Sequence, residues 1–140
     1  MGRRRARGAA FVVLFQVDVG RAEAAEALAY TVDSWKVSGP DREFVQDVVS
    51  GVLQQQEWID GIITELSRDW RLERMNSADR NIMRVALYEL LYRDDIPPNV
   101  AVNEAVELAK RYGGEESPRF VNGILGKVVE KLAGYKAGAK

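Results

Sequence analysis

The sequence predicts an all-α protein, a bundle of six or seven helices. Apolar residues recur at three- and four-residue spacing along most of the 140-residue chain. No stretch shows the strict alternation of a strand. The four prolines, Pro40, Pro97, Pro98 and Pro118, all fall at junctions between periodic runs. A hydrophobic content of 46% suits a packed core rather than a disordered chain.

The first helix is expected over residues 4–19, ending near Gly20, with Ala10, Val13, Leu14 and Val17 on one face and Phe11 and Phe15 as an adjacent i, i+4 pair. An Ala-rich second helix covers 22–35, and KVSGPD is a loop. From Asp41 a long helical stretch places Val45, Val48, Val52, Ile59, Ile62 and Leu66 in near-heptad register. Gly51 and Gly61 weaken it, and QQQEW marks a bend that divides it into two helices. SRDWRLERM links two halves of the chain. Asn76 or Ser77 caps the next helix, over 78–93, which is apolar nearly all round and therefore belongs at the centre of a bundle. After DDIPPN, a helix over 100–112 stops at Gly113 and Gly114. Ser117 and Pro118 open a last helix that ends near Leu132, and GYKAGAK is a short tail. The expected organisation is one domain over 1–140, with an N-terminal half of about 1–70, a C-terminal half of about 71–133 and a tail from 134 to 140.

Composition removes several chemistries. With no cysteine and no histidine, thiolate zinc sites, disulfides, Ser–His–Asp triads and His-based metal catalysis cannot be built. No metal and no cofactor is expected. Asp94 and Asp95 sit on a turn with diverging carboxylates, and Glu115 and Glu116 flank a helix start, where negative charge complements the dipole. Neither pair has a partner to tune an acid or a base, so no enzyme is expected. The longest uninterrupted apolar run near the start, residues 9–15, is short for a cleaved signal, and nothing approaches the ~20 residues of a membrane span. The expected location is cytoplasmic.

Net charge is −1, but Arg3, Arg4, Arg5 and Arg7 concentrate four of the 20 basic residues, leaving 16 against 21 acids in the rest. A basic arm on an acidic body is the asymmetry of a polyanion-binding protein. Cations at a helix N-terminus also oppose the dipole, so the cluster calls for countercharge. Two readings stand: a solvated, frayed terminus, or an arm whose guanidinium groups meet phosphate. A second feature lies on the last helix. Val121, Leu125, Val128 and Leu132 form its core face, while Phe120, Ile124, Lys127 and Lys131 run along its flank. An aromatic ring beside lysines suits single-stranded RNA, with Asn122 offering polar contacts and Gly123 and Gly126 leaving room for a backbone. The alternative is that Phe120 completes the core.

On the apolar central helix, Glu89 and Arg93 have the favoured order for an i, i+4 ion pair. Arg84, if buried, requires a carboxylate, and a structural interhelical pair is its favoured reading. Asp79, Arg80 and the tyrosines alternatively suit a protein interface.

RRRAR followed by LFQ, DRNIMRVALYELLY, IPPNVAVNEAVELAKRYG and ESPRFVNGILGKV together resemble the NusB family of bacterial transcription antitermination factors. The resemblance spans essentially the whole chain, although residues 20–70 match mainly in helical pattern, and the length suits a stand-alone member. It implies a NusB-like helical fold of two small sub-bundles. It implies binding of single-stranded boxA RNA together with NusE, a small-subunit ribosomal protein. Other Nus factors and RNA polymerase are implied as indirect partners, and suppression of premature termination in ribosomal RNA operons as the outcome. By position, Arg3, Arg4, Arg5 and Arg7 would form the RNA-binding end, joined by Phe120, Asn122 and Lys127. Phe15, Arg80, Arg84, Tyr88 and Glu116 fall on segments associated with NusE. Phe15 departs from members that carry tyrosine there. The competing expectations are a helical protein-interaction module, including a homodimer without a direct RNA role, and a helix-turn-helix DNA binder, for which the helix after Ser77 is too apolar.

Overall fold

The computed structural model describes residues 2–67 and 71–139. The described residues form eight α-helices and one short 3₁₀ turn, with no strand. Helix α1 (Arg3–Asp18) buries Ala6, Ala9, Ala10, Val13 and Leu14, and its small alanines permit close approach by neighbours. Helix α2 (Ala24–Ser34) starts later than predicted because Glu23 caps it, its carboxylate accepting from the N–H groups of Ala25 and Glu26 at 3.1 Å. The bend expected at QQQEW is a break at Gln55 between α3 (Gly39–Gln54) and α4 (Gln56–Ser67). Part of the predicted linker, residues 68–70, lies outside the described residues. Its remainder includes the 3₁₀ turn Leu72–Arg74.

Asn76, rather than Ser77, caps α5 (Ser77–Tyr92), its Oδ1 accepting from the N–H of Ala78 at 2.8 Å and of Asp79 at 3.4 Å. Every residue of α5 from Ala78 to Leu91 is buried. It packs against α1, α3 and α4 as well as α6 (Pro98–Tyr112), α7 (Ser117–Glu130) and α8 (Leu132–Gly138), so the all-round apolar helix is the central one. Its polar residues are buried too, and neighbouring helices supply partners for Arg80, Asn81, Arg84, Tyr88 and Glu89.

Helix α8 occupies most of the segment expected as a short tail. Its Gly/Ala-rich sequence carries no apolar stripe to announce a helix. Tertiary contacts hold it: Tyr135 donates to Glu65 at 3.3 Å, Lys136 to Asp94 at 2.9 Å, and Gly138 lies against the Trp58 ring. With α8 and the break at Gln55 counted, the helices number one more than the upper expectation.

Two polar clusters, one built on the fully buried Arg7–Glu89 pair and the other part-buried around Asp18, tie the bundle together. The predicted Glu89–Arg93 pair does not form. Glu89 instead receives Arg7 from α1, and Arg93 donates to Asp47 and Asp95, each at 2.9 Å. Arg7 reaches Glu89 because α1 lies directly over α5, a proximity invisible along one helix. In the second cluster Asp18, at the end of α1, accepts from Arg80 at 2.8 Å, Asn81 at 2.9 Å and Arg84 at 3.1 Å. Arg84 also grips Asp60 of α4 with two bonds of 2.8 and 2.9 Å, which is the structural ion pair expected for it. Burial alone would raise the Asp18 carboxyl; the bonds from Arg80 and Asn81 and the charges of Arg80 and Arg84 outweigh it and hold the group below its usual range.

Candidate nucleic-acid interface

The arginine arm is the first two turns of α1, not a frayed end. It finds countercharge within the fold, and each arginine is treated differently. Arg7 is only 5% exposed and its Nε and Nη2 donate to Glu89 at 2.9 and 2.8 Å. Arg3 is half-buried, 3.4 Å from Asp41, with its guanidinium 4.4 Å from the Phe44 ring centroid. Arg7 and Arg93 crowd the same ring at 5.6 and 5.1 Å, so Phe44 sits among three cations. Arg4 makes two bonds of 2.9 Å with Glu104, but its side chain remains 68% exposed. Arg5 is exposed, 5.9 Å from the Trp35 ring centroid. The arm thus divides: Arg7 is committed to the interior, while Arg4 and Arg5 present positive charge to solvent. An exposed pair such as Arg4–Glu104 is weakened by the surrounding water, so Arg4 exchanges a carboxylate for a phosphate at small cost. The hydrogen bond from Arg4 holds the Glu104 carboxyl below its usual range, against the opposing effect of burial.

The N-terminal turn forms one wall of a cleft of about 540 Å³ whose far wall belongs to α6. Lys110, Arg111, Tyr112 and Trp35 line it. Sequence reasoning did not group these residues with the arm. The adjacent Lys-Arg-Tyr at the end of α6 was the available signal, but only the packing of α1 against the end of α6 gives it meaning.

Helix α7 carries the second predicted feature. Asn122 and Lys127 are exposed, and both Gly123 and Gly126 face open space. Ile124, expected on the flank, is instead 5% exposed and part of the core. Phe120 occupies an intermediate position: half-buried against the core, it also lines a separate cleft of about 500 Å³ with Met75, Arg119 and Asp79. Asp79 is 6% exposed and its Oδ1 is buried without a hydrogen-bond partner. Burial pushes its carboxyl above the usual range, opposed by a hydrogen bond with Ser117.

Of the residues assigned to a protein partner, Arg80 and Arg84 are buried in the Asp18 cluster. Tyr88 is 8% exposed and donates to Asp47 at 2.8 Å; burial and that carboxylate push its phenol up to about 12. Phe15 is half-buried and Glu116 is exposed. Three of these five side chains are therefore satisfied within the fold. Among the described residues, no group of three or more carboxylates is placed to hold a metal ion, and no helix is long and apolar enough to cross a membrane.

The geometry defines a class: an all-helical bundle whose N-terminal turn presents exposed arginines beside the aromatic residues Trp35 and Tyr112 at the ends of α2 and α6. Comparison supplies the family. The chain belongs to the NusB family of transcription antitermination proteins, whose model matches residues 4–130. It is 52% identical over 136 residues to the transcription antitermination protein NusB of Desulforudis audaxviator, covering 97% of this chain and 99% of that one. Thermotoga maritima NusB superposes with a TM-score of 0.88 at 37% identity, covering 94% of this chain and 92% of that structure. A crystal structure of the antitermination factors NusB and NusE in complex with double-stranded RNA matches with a TM-score of 0.80 at 27% identity, over 93% and 98% of the two chains.

Proposed function

We propose that this protein is a non-catalytic RNA-binding adapter that takes up boxA RNA jointly with NusE and suppresses premature termination in ribosomal RNA operons. It would act in the cytoplasm as a single domain, meeting other Nus factors and RNA polymerase through that assembly. The observation that carries the reading is the exposed cationic turn of α1, Arg4 and Arg5, in a chain whose relative has been crystallised with NusE and RNA. Arg4 and Arg5, with Arg3 at their side, would contact phosphates. Phe120, Asn122 and Lys127 on α7 would provide stacking, polar and cationic contacts. Arg7 would hold the arm in place through Glu89. Phe15 and Glu116 would face the protein partner, while Arg80, Arg84 and Tyr88 would shape that surface from beneath.

The test is a pull-down with purified NusE, with and without a boxA oligonucleotide. Retention of NusE that strengthens when RNA is present supports the reading. Failure to retain either partner overturns it.

A further inference from the structure

We propose that the cleft between the N-terminal turn of α1 and the C-terminal end of α6 is a nucleotide subsite. In it a base stacks on Trp35 or Tyr112, while Arg5, Lys110 and Arg111 hold the adjoining phosphates. The inference rests on the reading that the arm binds RNA, and it names a continuation of that track beyond the arm.

Three observations carry it. The cleft is large enough to admit a planar base and has cations on both walls: Arg4 and Arg5 from α1, Lys110 and Arg111 from α6. Its aromatic residues are held by packing. Trp35 lies against α1 where Gly8 leaves room, a Cβ at that position being only 3.4 Å from the ring. Tyr112 rests on Phe11 with centroids 4.8 Å apart. Rigid half-buried rings lose little entropy when a base stacks on them. Finally, the acids of the cleft are already engaged. Glu104 is bonded to Arg4 and lies 4.0 Å from Arg7, and Glu107 accepts from Lys110 at 3.2 Å. Four cations against two carboxylates leave the cleft positive.

The same two carboxylates favour RNA over an acidic peptide. They can accept hydrogen bonds from base amino groups, donors that an acidic side chain does not have. Lys110 and Arg111 also occupy the last turn of α6, where they offset the negative end of the helix that would otherwise oppose a phosphate.

The experiment measures binding of a labelled single-stranded boxA oligonucleotide by fluorescence anisotropy across a salt series. Wild type is compared with R4Q/R5Q, K110Q/R111Q and W35A, and each variant's melting is recorded. Ultraviolet crosslinking of the wild-type complex, followed by peptide mapping, locates the base. K110Q/R111Q should reduce the slope of log affinity against log salt by about 1.4, two phosphate contacts at ~0.7 each. W35A should weaken binding at least about fivefold with little change in slope. Crosslinks should fall on peptides containing Trp35 or Tyr112, a result that stands even if W35A does not fold. If R4Q/R5Q weakens binding but K110Q/R111Q retains wild-type affinity and slope, or the crosslinks lie elsewhere, the subsite is refuted and the arm remains. Absence of RNA binding by wild type refutes both. Displacement of the RNA by polyglutamate at equal affinity overturns the choice of ligand.

Discussion

Arg7 of α1 and Glu89 of α5 form a buried pair. Three hydrogen bonds of 2.8–3.0 Å join residues 82 positions apart, with side chains 6% and 1% exposed. Burial pushes the Glu89 carboxyl upward, and Arg7 opposes that push. Removing one partner leaves an uncompensated buried charge. We expect Arg7→Ala to cost about 3–5 kcal/mol in urea unfolding. The double replacement R7M/E89L should cost clearly less, because it leaves no buried charge behind. Equal losses in the two variants would show that packing, not charge, dominates at this site.

The division of the arm sets the design of any RNA-binding test. Replacing all four arginines confounds binding with stability, because Arg7 belongs to the core. Arg4→Ala/Arg5→Ala should weaken RNA binding and flatten its salt dependence while shifting Tm by no more than a degree or two. Exposed cations contribute little to folding. Unchanged RNA affinity at moderate salt would remove the arm from the interface.

Phe120 touches both the core and a cleft. Phe120→Ala is predicted to weaken single-stranded RNA binding about 5- to 100-fold, as base–aromatic stacking implies, and duplex binding far less. Titrations of both RNAs against the variant decide the matter, and an equal loss for both would place Phe120 in a structural role only.

Gly51 faces the Tyr88 ring so closely that an added Cβ would fall 2.0 Å from Tyr88 Cε1. Gly51→Ala should therefore destabilise by about 1–3 kcal/mol through overpacking, more than offsetting the better helix propensity of alanine. It should also dislodge the Tyr88–Asp47 bond, so the tyrosine should titrate lower in a spectrophotometric titration.

Asp79 supplies the pH prediction. Its folded-state carboxyl is raised above the usual value by burial, with Ser117 opposing, so the folded protein holds that proton more tightly than the unfolded chain. The ionised form therefore costs stability. The cost is absent at pH values below the unfolded carboxylate range and fully present once pH has risen past the raised folded value. Asp79→Asn should raise Tm at neutral pH by about 2–4 °C, equivalent to ~1 kcal/mol, and the gain should vanish on acidification. A difference that is constant with pH would argue against the charge as its cause.

Much of the architecture is decided by local pattern, and that part is legible without coordinates. The three- to four-residue periodicity, the junction prolines and the apolar circumference of α5 require an all-helical bundle with α5 in the middle, because a helix without a polar face has nowhere else to go. Absence of histidine and cysteine excludes whole chemistries in the same direct way. What packing alone decides is which charges meet. Glu89 reads as a partner for Arg93 along one helix, yet it belongs to Arg7 across two, since burial rewards the pair that shares the interior. Four arginines within five residues read as one cationic cluster, yet helical rotation against α3, α5 and α6 buries Arg7, half-covers Arg3 and leaves Arg4 and Arg5 outside. Trp35 and the Lys110–Tyr112 run join the arm only because α1 docks beside the end of α6. Helix α8 exists because its neighbours hold it. Periodicity is a property of one segment and survives in the sequence. Partner choice is a property of two surfaces, and it comes into being only when they touch.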